Sequence, residues 1–203
     1  GAQAGLGFMY EPGEGVPRAY AAAVHWYQKA AQQGNAQGQT SLGLLYEEGK
    51  GVAQDYAIAA QWYQRAADQG DSEAQYFLGL LYLDGKGVRQ NYTLAAQWFL
   101  KSANQGNADA QASLGFLYLE GNGVGQDYAQ AMQWFLKAAE QQFGDAYNEI
   151  GVLYFFGHGV PQDDAEAFKW YRKAAELDVD AGLLNLGYMY EYGRGVPKDL
   201  SAA

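Results

Sequence analysis

Five serines, two histidines and 23 carboxylates are the residues of this chain whose spacing could do chemistry. Serine serves as an acylated nucleophile in Ser-x-x-Lys sites, where a lysine stands one helical turn away. The residues three positions after Ser41, Ser72, Ser102 and Ser113 are Leu44, Gln75, Gln105 and Phe116, and Ser201 is followed only by two alanines. No Gly-x-Ser-x-Gly elbow occurs either. Histidine holds metal when ligands cluster. His25 and His158 stand apart, with no His-x-x-x-His pair and no carboxylate at fixed spacing. The chain has no cysteine, which excludes disulfides, thiol catalysis and thiolate metal sites. These readings predict a protein that is not an enzyme and takes no cofactor or metal.

Other candidate motifs dissolve into a repeat. Gly-x-Gly-Val occurs six times, as at Gly49-Lys50-Gly51-Val52 and Gly157-His158-Gly159-Val160. A phosphate-cradling loop needs Gly-x-Gly-x-x-Gly behind a strand, and no strand pattern precedes these glycines. They read as structural turns. Asp55, Asp127, Asp163 and Asp199 share one register and read as helix N-caps. Asn91-Tyr92-Thr93 is formally a glycosylation sequon, but Asn91 occupies that same cap register. Lys29, Arg65, Lys101, Lys137 and Lys173 recur near a helix C-terminus, where a cation complements the dipole by about 0.3–1 kcal/mol.

The elements that position these residues follow from the period. Leu-Gly recurs at Leu6, Leu42, Leu78 and Leu114, continues as Ile150-Gly151, and returns at Leu186, always 36 residues apart. Tyr10, Tyr46, Tyr82, Tyr118, Tyr154 and Tyr190 share that period, as do Trp26, Trp62, Trp98, Trp134 and Trp170. One unit reads as two helices. In the second unit the apolar spacing places the first over about Ala36 to Glu48, ended by Gly49. A turn over Lys50 to Gln54 leads to the cap Asp55 and a second helix over Tyr56 to Asp68, with Ala59, Trp62, Tyr63 and Ala66 on its apolar faces. The mid-helix glycine of Leu-Gly should leave a gap for the paired helix, which explains a residue that costs a helix about 1 kcal/mol. Such hairpins bury their faces only by stacking on neighbours. The expected repeats are 1–35 (partial), 36–71, 72–107, 108–143, 144–179 and a truncated 180–203, forming one all-α domain of about 11 helices.

Bulk properties bound the partners. A hydrophobic fraction of 49% supports a continuous core, and a net charge of -10 repels phosphate backbones and anionic membrane surfaces. No apolar run reaches the roughly 18 residues that span a bilayer. Nucleic acid and membrane insertion are therefore not expected, and a protein or peptide is. Gly1-Ala2-Gln3-Ala4 does not read as a signal peptide. The chain starts inside a first helix and stops just as a second should begin, without polar capping repeats. A segment of a longer protein, with self-association through uncapped ends, is the expectation.

About a dozen positions recurring in register, Ala-x-x-x-Leu-Gly-x-x-Tyr-x-x-Gly-x-Gly-Val-x-x-Asp-x-x-x-Ala-x-x-Trp-x-x-Lys-Ala-Ala-x-x-Gly, resemble the Sel-1-like repeat, a relative of the tetratricopeptide repeat. The resemblance covers the whole chain. It implies a right-handed α/α superhelix that acts as an adaptor or assembly platform. It also implies a bacterial protein, secreted, periplasmic or envelope-associated. Some relatives are linked to β-lactam binding or hydrolysis; the missing Ser-x-x-Lys argues against that chemistry here. The turn glycines Gly34, Gly70 and Gly106 become Gln142 and Asp178, and the following Asn35, Asp71 and Asn107 become Phe143 and Val179. Different turns are expected at those two junctions.

By analogy with tetratricopeptide hairpins, first helices line the concave face. The residue after the repeat glycine then points inward: Phe8, Leu44, Leu80, Phe116, Val152 and Tyr188. The residue after the repeat tyrosine is Glu11, Glu47, Leu83, Leu119, Phe155 and Glu191. The next is Pro12, Glu48, Asp84, Glu120, Phe156 and Tyr192. Three before the glycine stand Ala4, Thr40, Tyr76, Ala112, Asn148 and Leu184. Apolar surface rimmed by carboxylates suits a peptide groove; the alternative is that some of these side chains are core between adjacent first helices, with the convex second helices and the glycine loops as other contact surfaces. The candidate partner-binding residues are Tyr76, Leu80, Leu83, Phe116, Leu119, Asn148, Val152, Phe155, Tyr188 and Tyr192.

Overall fold

Residues 20–202 are described by the computed structural model of the chain. The readings placed on Leu6, Phe8, Tyr10, Glu11 and Pro12, and the eleventh helix expected there, lie outside the described residues. Within them the chain forms ten α-helices and no strand: α1 (Tyr20–Gln32), α2 (Ala36–Glu48), α3 (Tyr56–Asp68), α4 (Ser72–Asp84), α5 (Tyr92–Asn104), α6 (Ala108–Glu120), α7 (Tyr128–Glu140), α8 (Gly144–Phe156), α9 (Asp164–Ala175) and α10 (Asp180–Tyr192). The bounds of α2 and α3 are those that the residue pattern predicts.

Local chemistry sets each boundary. The Asn35 side chain accepts from the Gly38 amide at 2.8 Å and opens α2. Gly49 closes it in the left-handed region, at φ 68°, with its N–H donating to Leu45 O. Asp55 caps α3 by accepting from Ala57 and Ile58, and Asp127 and Asp163 repeat that arrangement on α7 and α9. Asn91 caps α5 through Leu94 N. The cap residue also ties the hairpin together. Asp55 N donates to Tyr46 O at 2.9 Å, and the same bond recurs at Asn91, Asp127 and Asp163. A second tie had no counterpart in the sequence reading: Gln54, Gln90, Gln126 and Gln162 each donate a side-chain amide to the carbonyl seven residues back.

Packing explains the Leu-Gly signature. A Cβ on Gly43 would stand 2.6 Å from Cε1 of Tyr63, and one on Gly79 2.6 Å from Cε1 of Phe99. The glycine is therefore the seat of the aromatic ring on the paired helix. Those rings are fully buried, worth roughly 1.5–3 kcal/mol each. The second glycine of Gly-x-Gly-Val has a similar purpose. Gly87, at φ 67°, lies so close to the Tyr56 carbonyl that any Cβ would collide with it. The motif is a turn that lets one hairpin seat on the start of another.

The helices group into two compact units, Gly1–Asn107 and Ala108–Ala203. In the first, a core of Ala59, Tyr63, Ala66, Leu78 and Leu81 joins α3 to α4. Buried glutamines bridge its hairpins: Gln39 donates to Ala31 O and accepts from Gln69, and Gln75 donates to Ala67 O and accepts from Gln105. In the second unit, Phe135, Ala138, Ile150 and Leu153 form the corresponding core of α7 and α8. Tyr147 replaces the bridging glutamine there, its hydroxyl donating to Ala139 O at 2.8 Å.

The expectation of different turns after α7 and α9 is corrected. Gln142 and Asp178 adopt φ of 61° and 55°, the left-handed conformation that Gly34, Gly70 and Gly106 use elsewhere. The Phe143 N–H still reaches Ala138 O, and the Val179 N–H still reaches Ala174 O. The hydrogen bonds of the turn outweigh a left-handed penalty of about 1–2 kcal/mol on a non-glycine residue. What changes is the cap: Phe143 and Val179 hold the N-cap positions of α8 and α10 without a side-chain hydrogen bond.

Candidate partner-binding site

The sequence-derived candidates divide between the units. Tyr76, Leu80 and Leu83 lie on α4, all partly buried. The Tyr76 ring sits 5.8 Å from that of Phe99, tying it to the core. In the second unit Phe116, on α6, meets Phe135 edge-on at 5.1 Å, and Leu119 packs on the same cluster. Asn148 is 5% exposed. Its amide donates to Glu149 at 2.9 Å and its oxygen accepts from Asn185 at 2.8 Å, so it positions those neighbours.

Val152, Phe155 and Tyr188 do come together. With Phe156, Tyr171 and Asn185 they line an open pocket of about 380 Å³ between α8, α9 and α10. Phe155 stands edge-on to Phe156 at 5.0 Å and to Tyr188 at 5.9 Å, and Tyr188 lies 4.6 Å from Tyr192. The rim is open to solvent: Phe156 is 59% exposed and Tyr192 57%. Large rings at that exposure bring apolar area to a contact at little entropy cost.

The polar frame is acidic. Glu149 is largely buried, and its carboxyl is pushed above the usual range, first by burial, with the Asn148 hydrogen bond opposing and Asp145 adding. Burial raises the Tyr171 phenol as well, and the charges of Glu149 and Asp164 raise it further. Asp164 holds Arg194 through two bonds, at 2.6 and 3.1 Å, with the guanidinium 5.0 Å from the Phe155 ring.

Sequence reasoning passed over Tyr171 and Asn185, because their role depends on what faces them. The recurrent cation of the second helices is more than a dipole partner. Lys101, Lys137 and Lys173 lie over Trp98, Trp134 and Trp170 at 3.7, 3.9 and 4.1 Å, a cation–π contact three residues back. The Trp-x-x-Lys spacing carried that signal.

Ser102 and His158 have structural places. Ser102 is buried and donates to Ser72 O at 2.7 Å. His158 stacks on Tyr128 at 4.6 Å and on Phe156 at 5.6 Å. Among the described residues no group of three potential ligands could hold a metal, and no helix is long and apolar enough to cross a membrane.

Paired helices in fixed register, with glycine seats and capped turns, define an α-solenoid repeat protein. The Sel1 repeat matches residues 1–35, 36–71, 72–107, 108–143, 144–179 and 181–203, and the chain belongs to that family. It is similar to a protective antigen present in uropathogenic Escherichia coli strains that displays an SLR fold, at 40% identity and a TM-score of 0.94. The match covers 99% of this chain and 43% of that one, so the chain spans less than half of the antigen. A Sel1 repeat protein from Oxalobacter formigenes matches at 34% identity and a TM-score of 0.90, covering 98% of this chain and 80% of that one. An immunity protein from Pseudomonas aeruginosa, 21% identical with a TM-score of 0.57, covering 93% of this chain and 70% of that one, shares the fold. No curated protein matches the chain. Sel1 repeat proteins are generally non-catalytic scaffolds that mediate protein–protein interaction.

Proposed function

We propose that this chain holds a partner polypeptide on the first-helix face of its second unit, at the aromatic pocket of α8 and α10. The observation that carries the reading is the contiguous ring surface of Phe155, Phe156, Tyr188 and Tyr192, with Phe156 and Tyr192 more than half exposed. Aromatic anchors around a pocket dominate binding energy at protein interfaces. The test uses wild-type protein and a Phe156→Glu/Tyr192→Glu double variant as baits in bacterial extract. Both positions are exposed, so the fold should survive. A protein retained by the wild type and lost by the variant supports this site; equal recovery by both baits sinks it.

A further inference from the structure

The aromatic pocket contains a polar group that no described residue satisfies. Tyr171 is only 3% exposed, and its hydroxyl has no hydrogen-bond partner among the described residues. Buried hydroxyls are ordinarily paired. Tyr63, at the same register in the first unit, donates to Glu47 Oε2 at 2.7 Å and is covered by Phe77, stacked at 5.2 Å. At the registers of Glu47 and Phe77 the second unit carries Phe155 and Asn185. One replacement removes the acceptor, and the other trades a large ring for a small amide. The pocket lies where those two changes meet.

The groups around it select a ligand. Val152, Phe155, Phe156 and Tyr188 form apolar walls. Asn185 donates its amide to Asn148, which leaves its Oδ1 open as an acceptor. Glu149 stands one turn before Val152, and no cation pairs with it among the described residues. The cation nearby, Arg194, is already held by Asp164. A net charge of -10 draws basic partners to the surface around the pocket.

We propose that this pocket receives a lysine side chain from an extended segment of a partner protein. Its methylene stem lies against Val152, Phe155 and Tyr188, and its ammonium donates to Tyr171 Oη and Asn185 Oδ1 within the field of Glu149. A purely apolar residue would leave the phenol buried and unsatisfied, and an acidic one would meet Glu149. Arginine needs a carboxylate fork, whereas the acceptors here are single atoms on different helices, which suit a compact ammonium. The aromatic walls add cation–π attraction. The inference rests on the reading of this face as the partner surface.

The test is an amide-resolved NMR titration of the whole chain with short Gly/Ser peptides that carry one central lysine, arginine, norleucine or glutamate. The lysine peptide is expected to shift the amides of Phe155, Asn185 and Tyr188, and to bind about tenfold tighter than norleucine. Tyr171→Phe should bring lysine down to the norleucine level and leave norleucine binding unchanged, with unperturbed spectra away from the pocket. Glu149→Gln should weaken lysine binding and its salt dependence together. Norleucine or arginine binding at least as tightly as lysine in the pocket overturns lysine recognition but leaves the partner face standing. Pocket amides that no peptide moves overturn the lysine site; retention of a partner by the Phe156→Glu/Tyr192→Glu bait then separately overturns the face.

Discussion

The two units are built from one hairpin and differ in how far each satisfies its own groups. In Gly1–Asn107 the Tyr63 hydroxyl has Glu47, its ring has Phe77, α2 and α4 have side-chain caps, and the inter-repeat turn uses glycine. In Ala108–Ala203 the equivalent tyrosine hydroxyl has no hydrogen-bond partner among the described residues, the α8 and α10 caps are Phe143 and Val179, and Gln142 and Asp178 take left-handed conformations. The rings of Phe156, Tyr188 and Tyr192 also face solvent in that unit. Departures from local consistency therefore collect in one region, beside exposed aromatics.

The largest expected effect tests the shared scaffold. Gly79→Ala forces a Cβ against Phe99, which is fully buried, and should destabilise by about 2–3 kcal/mol despite a better helix propensity. Gly151→Ala meets Tyr171 at the same 2.6 Å, but that ring borders the pocket and can give way. Its cost should be about half as large. Urea denaturation of both variants checks this, and equal losses would remove the contrast in packing freedom.

Next in size is the tyrosine pair. Tyr63→Phe deletes a hydrogen bond to a carboxylate and should cost about 1–2 kcal/mol. Tyr171→Phe removes an unpaired buried hydroxyl and should be neutral or stabilising by up to about 1 kcal/mol. The same denaturation series measures both; a matching loss at Tyr171 would mean its hydroxyl is satisfied in solution.

The turns give a smaller and reciprocal effect. Gln142→Gly and Asp178→Gly should each raise stability by roughly 0.5–1 kcal/mol, and Gly70→Gln should lower it by about as much. Thermal unfolding midpoints moving in the opposite sense would break this part of the comparison.

The smallest effect is a pH dependence confined to the second unit. The Glu149 carboxyl is raised in the folded chain, chiefly by burial. Its contribution is therefore fully present below the ordinary carboxylate pKa, and it is lost as pH rises through the raised folded value. Glu149→Gln should accordingly raise the melting temperature slightly at pH 7 and leave it nearly unchanged at pH 4. A larger gain at pH 4 than at pH 7 would reverse the sign.

Much of this molecule is legible before any coordinates. The bounds Ala36–Glu48 and Tyr56–Asp68, the caps at Asp55 and Asn91, and the glycine gap of Leu-Gly all follow from groups close in sequence or from one helix face. Val152, Phe155 and Tyr188 could be picked out because their register places them with first-helix neighbours. The turns at Gln142 and Asp178 are not legible from residue type, because backbone hydrogen bonds hold every such turn in the same conformation.

What the sequence by itself determined is the family, the hairpin and the period, since these rest on local hydrogen bonding and on a face pattern repeated many times. What only the tertiary structure decided is which side chains lie opposite one another. Tyr171 differs from Tyr63 in nothing but its neighbours across α8 and α10, and those neighbours turn a core tyrosine into one side of a pocket. Hydrogen-bond satisfaction is a property of pairs, and the pairs are assembled by packing.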